Sequence, residues 1–208
     1  EAAAEDYTAA VALWRDLRVN VNLANTLNNL AFVRAEQGYI DDARALAHEA
    51  LDIRRKLGSR VDVGYSLNTL ALIDIRSERY TPAIERAEQA LSLFRALKHQ
   101  RGIVLALNAL AEAIRRDSGS TYAASAVEQA HRLHEAARCA REARLLAGEI
   151  NERERQVQAL IEFGCATRDL LRLRVANPTL RDDPVRLARE SQEALEEAVR
   201  VASTIPQP

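Results

Sequence analysis

Apolar residues recur along this chain at helical spacing, and one short string returns at a fixed interval. The pattern Leu-Asn-x-Leu-Ala begins at Leu27, Leu67 and Leu107, so each step is 40 residues. Downstream alanines keep the same step, in the pairs Ala43/Ala83, Ala47/Ala87 and Ala50/Ala90. Self-similarity at one period is typical of a repeat architecture. The sequence therefore predicts a chain built from stacked units.

Each unit has the pattern of two helices separated by a short break. Leu27, Leu30 and Ala31 follow the i, i+3, i+4 spacing that places apolar side chains on one helical face. Gly38 interrupts this pattern and suits the left-handed conformation that ends a helix, and Gly58 does the same for the second helix. Extended along the chain, the period predicts an all-α protein with helices over residues 2–18, 20–37, 40–57, 60–78, 81–97, 100–116, 121–148, 152–174 and 184–203.

Polar residues and prolines mark several of the predicted helix starts. Thr81-Pro82 and Asp183-Pro184 each predict an N-cap followed by proline at the first helical position, where the missing N–H costs nothing. The carboxylate pairs Asp41-Asp42 and Asp182-Asp183 lie at helix N-termini, where negative charge is favourable. We therefore interpret these acids as caps rather than as acid–base pairs.

The N-terminal segment is the second helix of a truncated unit. It carries Trp14, the single tryptophan of the chain. We expect this side chain to pack against Leu27 or Leu30 of the next helix rather than to form a ligand platform.

The third unit departs from the register. Phe163-Gly164 has the appearance of a fourth Leu-Ala pair but lies 53 residues after Leu110, so about 13 residues are inserted, and we place them between Arg116 and His131. We expect a long helix from Thr121 that projects beyond its partner helix. Its extra turns would be covered by the loop at 175–183, by a second copy of the chain or by a further domain.

The spacing of these residues resembles the tetratricopeptide repeat. Numbered from Ala24, the first full unit matches that family's pattern at Leu27, Leu30, Ala31, Gly38, Ile40, Ala43, Ala47 and Ala50. It differs in length, since the common form has about 34 residues, and in Glu78, which stands where the family usually has glycine. The longer form resembles the repeats of kinesin light chains. It is also similar to the C-terminal sensor arrays of bacterial STAND-type signal-transduction ATPases and of maltose-regulator-type activators.

This resemblance implies a right-handed α-solenoid of antiparallel helix pairs, the tetratricopeptide superhelix. A single array would occupy residues 1–208. Its parts would be the truncated unit at 1–19, repeat 1 at 20–58, repeat 2 at 59–98, repeat 3 with its insertion at 99–150, and repeat 4 with a C-terminal tail at 151–208.

Composition narrows the classes of partner. Lys and Arg number 29 against 30 Asp and Glu, for a net charge of −1, which argues against nucleic acid as a partner. No apolar run approaches the roughly 20 residues of a membrane span. Two cysteines without metal-ligand spacing, Cys139 and Cys165, fit a reducing cytoplasm. The chain has no methionine and opens with the pattern of a helix interior, so we expect it to be a fragment of a longer protein.

Chemistry-bearing motifs do not occur in the sequence. It has no Gly-rich phosphate loop, no His-Glu-x-x-His, no Gly-x-Ser-x-Gly and no Cys-x-x-Cys. His131 and His134 have the i, i+3 spacing of half a metal site, but a solvated helix edge accounts for them as well. We therefore expect no catalytic residues, no metal and no cofactor.

The resemblance also implies a binding surface, because the first helices of tetratricopeptide units line a groove. The positions that face the groove in the family correspond here to Asn25, Asn28, Phe32, Tyr65, Asn68, Leu72, Arg76, Asn108, Glu112 and Arg115. The asparagines at 28, 68 and 108 would form a ladder of amides that can pair both polar groups of a peptide backbone. The alternative is that they satisfy carbonyls between stacked helices.

Three functions remain open at this point. The first is a module that binds a protein or peptide, as sensor or scaffold of a larger signalling protein. The second is an array that senses a small molecule on behalf of a STAND-type ATPase or transcription regulator. The third is self-association, a homodimer formed through the long helix of the third unit.

Overall fold

The computed structural model describes residues 2–120 and 125–206, with the side chain of Ser120 excepted. In these ranges the chain forms helices and no strand, which confirms the all-α solenoid of helix pairs. The helices are α1 Ala2–Asp16, α2 Asn20–Glu36, α3 Ile40–Lys56, α4 Arg60–Arg76, α5 Tyr80–Ala96, α6 Gln100–Ser120, α7 Ala126–Glu149, α8 Arg153–Ala176 and α9 Pro184–Ala202. Of these helices, none combines the length and the apolar character of a membrane span.

Left-handed residues set the helix length in the first half of the chain. The backbone φ is positive at Arg18, Gly38, Gly58, Glu78 and Lys98, that is, once every 20 residues. At Gly38, with φ of 86°, the amide of the following Tyr39 donates to Arg34 O at 2.9 Å, which closes the helix end. The two glycines were predicted as stops. The other three positions show that the turn is imposed even on residues with a Cβ.

Contacts divide the chain into two compact units, unit 1 at Glu1–Gly102 and unit 2 at Ile103–Pro208. In unit 1, each helix from α1 to α5 packs on the next along the chain, and α2 also contacts α4. The interfaces are lined by fully buried alanines, since Ala43, Ala47, Ala50, Ala83, Ala87 and Ala90 all have 0% exposure. Small side chains let the helix axes approach closely, so the repeated alanines produce a regular stack of helix pairs.

The helix α1 packs on α2, the first helix of repeat 1. Trp14 packs against the cluster formed by Val11, Leu23, Leu27 and Leu30, as the sequence predicted. Its position against two leucines of the first repeat makes it part of the core of unit 1.

Unit 2 contains the irregular part of the register. Helix α7 packs on α8, and α8 packs on α9. The helix α6 ends at Ser120 and not at 116, and α7 begins at Ala126 with Ser125 as its N-cap, whose hydroxyl accepts from Glu128 N at 3.2 Å. The predicted start at Thr121 lies outside the described residues. Within the described residues, Ser125 is the N-cap of α7, whereas the sequence predicted that it lies inside one helix over 121–148.

The expected projection of α7 is also wrong. Ala130 and Leu133, in the second turn of α7, are buried with Leu170, Leu180 and Leu187. Leu180 belongs to the loop between α8 and α9. This loop therefore covers the early turns of α7, which is one of the three coverings that we considered from the sequence. Ala130 and Leu133 are thereby buried inside unit 2, while Val127 in the first turn of α7 is 69% exposed.

The predicted helix starts have mixed outcomes. Asp183 caps α9 by accepting from Val185 N at 3.0 Å, with Pro184 at the first position. In α5, however, the helix begins at Tyr80, so Thr81 is not the N-cap and Pro82 lies at the third position. Proline is tolerated there because the first helical amides have no intrahelical acceptor.

Candidate functional site

The predicted groove residues of unit 1 separate into three groups. The first surrounds Arg54, which is 5% exposed. Its guanidinium donates to Asn25 Oδ1 at 2.9 Å and to Asn28 Oδ1 at 3.2 Å. It also donates to Ser66 Oγ at 2.7 Å. Burial lowers the pKa of Arg54, and the charge of Asp62 opposes that shift. The two asparagines are therefore acceptors that satisfy a buried cation.

The predicted ladder requires the amides of Asn28, Asn68 and Asn108 to have no intramolecular partner, and the contacts of Asn28 and Asn108 contradict this requirement. Asn108, 1% exposed, donates from Nδ2 to Arg155 O at 3.1 Å. Asn68 is 5% exposed, and its Oδ1 has no hydrogen-bond partner among the described residues. The amides of Asn28 and Asn108 therefore satisfy groups of the chain itself, as polar groups inside proteins usually do.

Tyr65 forms the second group, an aromatic cluster with Phe94 and His99. The ring centroid of Tyr65 lies 5.3 Å from that of Phe94 and 5.7 Å from that of His99. Phe94 is fully buried against Gly64 and Gly102, where an added Cβ would overlap its ring. The tyrosine therefore continues the core of unit 1, and both glycines are required by the close approach of the phenylalanine.

The third group is exposed and joins two neighbouring first helices. Phe32 of α2 is 42% exposed, and the guanidinium carbon of Arg76 of α4 lies 5.5 Å from its ring centroid. Arg76 also forms an ion pair with Glu36 and lies beside Leu72, whose carbonyl is 3.4 Å from Nη1. We call these four residues, Phe32, Glu36, Leu72 and Arg76, the α2/α4 face.

Glu112 and Arg115, the charged residues predicted for the groove in unit 2, each pair with another charged residue of the same unit. Glu112 bonds Arg116 at 2.8 Å on the same helix. Arg115 donates from Nε to Glu162 Oε2 at 2.9 Å, which ties α6 to α8. Burial raises the pKa of Glu162, and the bond from Arg115 opposes that shift. Burial is the largest single influence on the pKa of Arg115 and lowers it, but the hydrogen bond and the charge of Glu162, together with smaller contributions that include Asp169, raise the pKa overall.

A buried acid that sequence reasoning missed holds unit 1 together. Asp74 of α4 is fully buried and forms ion pairs with Arg86 of α5, with Arg44 of α3 at 3.4 Å and with Arg79 at 3.9 Å. Arg44 also donates to Ser77 Oγ at 3.0 Å. The available signal was an aspartate within an apolar run, four residues after Leu70 and so on the same helical face.

In the described ranges, no group of three or more His, Cys, Asp or Glu side chains lies close enough together to hold a metal ion. His134 bonds Asp182 through Nε2 at 3.0 Å, so the predicted helix-edge interpretation suits it. Neither Cys139 nor Cys165 takes part in a disulfide among the described residues, and Cys139 is buried.

Comparison with known proteins bears on residues 22–96, which match the family model described as tetratricopeptide repeat. No curated protein matches the chain in sequence. Among solved structures, the crystal structure of BtubC (BKLC) from P. vanneervenii is similar, with 17% identity, a TM-score of 0.48, and coverage of 99% of this chain and 93% of that chain. Residues 22–96, from the third residue of α2 to the end of α5, are therefore similar in sequence to the tetratricopeptide repeat family.

Proposed function

We propose that this chain is a non-catalytic interaction module that binds an extended segment of a partner protein on the α2/α4 face. One observation carries the proposal. Phe32 leaves 42% of its surface exposed while the guanidinium of Arg76 lies over its ring. Exposed aromatic and arginine side chains are the types enriched at the centres of protein interfaces.

The chemistry of this face suits a segment that combines acidic and apolar residues. A partner carboxylate can replace Glu36 in its ion pair with Arg76, since a guanidinium binds carboxylates in a planar, bidentate manner. An apolar side chain next to that carboxylate would cover Phe32 and Leu72. The short distance between the two subsites requires the acidic and the apolar residue to be close in the partner's sequence.

We further propose that the module serves as the sensor or scaffold part of a larger signalling protein in the cytoplasm. The near-neutral charge of −1 supports a protein partner over nucleic acid or an anionic membrane. The 40-residue register supports a likeness to sensor arrays of STAND-type ATPases.

A peptide-display selection against the full chain, followed by fluorescence polarisation on the selected peptides, tests the proposal. We expect enrichment of peptides with an acidic residue next to a large apolar one. Phe32→Ala should weaken their binding by about tenfold or more, the usual loss at a central aromatic contact. Arg76→Gln should weaken acidic peptides and leave neutral analogues unchanged.

Tyr39→Ala is the matched control. Tyr39 is also exposed, at 55%, and also lies under an arginine, with the guanidinium carbon of Arg34 at 5.4 Å, but it is outside the α2/α4 face. Equal losses for Phe32→Ala and Tyr39→Ala, or selected peptides that bind both variants as tightly as the parent, would reject this face as the binding site.

A further inference from the structure

A cleft in unit 2 has a cationic rim and an apolar floor. Helices α7 and α9 both pack on α8, and between them lies a cavity of about 200 Å³. Phe163 and Leu170 of α8 and Leu187 of α9 form its floor. Three arginines line its rim, Arg138 and Arg141 from α7 and Arg186 from α9.

These arginines are weakly neutralised by the protein. Among the described residues Arg141 makes no ion pair, and its guanidinium carbon lies 5.0 Å from the ring centroid of Phe163. Arg138 is 3.6 Å from Glu135, and Arg186 is 3.8 Å from Glu190. Both separations exceed the range of a hydrogen bond. Glu190 is the one carboxylate that lines the cavity, so positive charge is in excess there.

The corresponding place in unit 1 shows what is absent from this cleft. Asp74 lies four residues after Leu70 of the repeated Leu-Ala pair, and its carboxylate fills the space between α3 and α5 by pairing with Arg44 and Arg86. Thr167 lies four residues after Phe163, the residue in the place of Leu70. The position that carries a buried anion in unit 1 is therefore a neutral residue in unit 2.

Thr167 cannot neutralise the arginines. The residue is 2% exposed, and its hydroxyl donates within its own helix, to Phe163 O at 2.9 Å and Gly164 O at 3.1 Å. The hydroxyl also carries no charge. The cleft thus keeps arginines around a cavity and lacks the carboxylate that fills the same place in the first unit.

We propose that this cleft binds a small organic anion, a compact apolar or aromatic body that carries one carboxylate or phosphate group. The anionic group would take the place of the Asp74 carboxylate, held by Arg141 together with Arg138 or Arg186, and the body would rest on Phe163 and Leu187. Guanidinium groups recognise both carboxylate and phosphate through paired N–H donors, and the low exposure of the floor strengthens such contacts. This site is independent of the α2/α4 face.

Phenyl phosphate and benzoate are suitable probes, with benzyl alcohol as the uncharged control. The full chain is titrated with each probe, and binding is monitored by calorimetry and by amide chemical shifts. We expect saturable binding of either or both anions and no binding of the alcohol. The shifted amides should belong to α7, α8 and α9. Binding of inorganic phosphate with equal affinity would contradict the apolar subsite, and absence of saturation by both anions at millimolar concentration would overturn the proposal.

Variants at two positions locate the site. Arg141→Gln should weaken the anion by about tenfold or more, because a hydrogen bond to a charged group is lost. Arg200→Gln, on an exposed position of α9, should leave binding unchanged. An equal loss in both variants would show nonspecific attraction to the surface and would contradict the cleft.

The sharper pair is Thr167→Asp and Thr167→Asn, which have the same shape and differ in charge. Thr167→Asp supplies the internal carboxylate of unit 1 and should abolish anion binding, while Thr167→Asn should retain it. Thermal melting shows whether each variant is folded. If both retain binding, or both folded variants lose it, the anion does not occupy the place of the missing carboxylate, and Arg141→Gln still tests the cleft itself.

Discussion

Each unit contains a junction of three consecutive helices, α3, α4 and α5 in unit 1 and α7, α8 and α9 in unit 2. The two junctions share their helix arrangement and differ in how their arginines are neutralised. In unit 1, the fully buried Asp74 forms ion pairs with Arg44, Arg79 and Arg86. In the second, Thr167 bonds only within its own helix, and Arg138, Arg141 and Arg186 surround an open cavity. One residue on the middle helix therefore decides whether the junction is filled by the chain itself.

This difference distinguishes arginines that pair with an acid of the same chain from arginines that can pair with a ligand. A buried ion pair stabilises a fold little compared with apolar packing, but a member left without its partner is costly. The arginines of the junction in unit 1 form ion pairs with Asp74, an acid of the same unit. Those of unit 2 lie at the rim, in contact with water, so they can remain without an internal acid until a ligand supplies one.

The largest expected effect is on the buried acid of unit 1. Asp74→Asn removes the charge that three arginines surround, and we expect a loss of about 3–5 kcal/mol in the free energy of unfolding. Trp14 is the one tryptophan of the chain and lies in unit 1, so its fluorescence reports on that unit during urea denaturation. Circular dichroism follows the helices of both units.

Asp41→Asn is the control for this prediction. Asp41 also pairs with Arg44, at 3.3 Å, but its side chain is fully exposed and screened by water, so we expect little change in stability. Similar denaturation midpoints for Asp74→Asn and Asp41→Asn would mean that the buried acid is not the centre of the junction.

The helical architecture could be predicted because its determinants are local. The 40-residue register placed α2 to α5 within two residues of their observed ends, and Trp14 was expected in the core where it lies. The insertion was harder. Whether Ala130 and Leu133 project or pack depends on Leu180, 47 residues further along the chain than Leu133, and no local period contains that contact.

The site could be predicted only in part, because the same helical position serves different purposes in different repeats. Asn28 and Asn108 occupy one register position, yet the first accepts from the side chain of Arg54 and the second donates to a backbone carbonyl of α8. Phe94 occupies the position of Arg54 one repeat later. The same register position therefore holds a buried cation in one repeat and a buried aromatic ring in the next. Partners on neighbouring helices decide these roles, and the resemblance to a family pattern does not identify them.

The next effect concerns unit 2, where the buried ion pair joins α6 to α8. Arg115→Gln leaves Glu162 buried without its cation and should cost about 1–3 kcal/mol near neutral pH. The change should shift the circular-dichroism midpoint more than the Trp14 midpoint, since the tryptophan lies in unit 1. A larger shift of the Trp14 midpoint would show that the stability of unit 1 depends on this pair.

The same variant has a defined pH dependence. Burial already raises the pKa of Glu162 above its ordinary value of 4.5, and loss of the opposing bond from Arg115 raises it further. A carboxyl whose pKa is raised by folding destabilises the folded state as pH rises through that pKa. The cost of Arg115→Gln should therefore shrink as pH is lowered toward about 5 and grow toward about 8. A cost that is independent of pH would show that Glu162 is not desolvated.

A smaller effect tests whether the asparagines are internal struts in both units. Asn28→Ala and Asn108→Ala should each lower the free energy of unfolding by about 1 kcal/mol, the net contribution of one hydrogen bond. Asn29→Ala, at the exposed neighbouring position, should leave stability nearly unchanged. Peptides selected on the α2/α4 face should bind all three variants equally. A loss of binding without a loss of stability would return the asparagines to the ligand surface.

The smallest effect is the response of unit 1 to mild acid through His48 of α3, beside the charged junction. Burial and the positive charges of Arg86 and Arg44 lower its pKa below the ordinary 6.5, while Asp52 opposes the shift and Arg55 adds to it. A histidine whose pKa is lowered by folding contributes stability above its unfolded pKa, and that contribution is lost as pH falls through the folded value. The Trp14 melting temperature should therefore fall between about pH 7 and pH 5, and His48→Gln should reduce that fall. His131→Gln, at an exposed position of α7 in unit 2, should not change it. If both substitutions leave the acid response unaltered, the arginines around Asp74 do not act on His48, and the charge of that junction is balanced more completely than its ion pairs indicate.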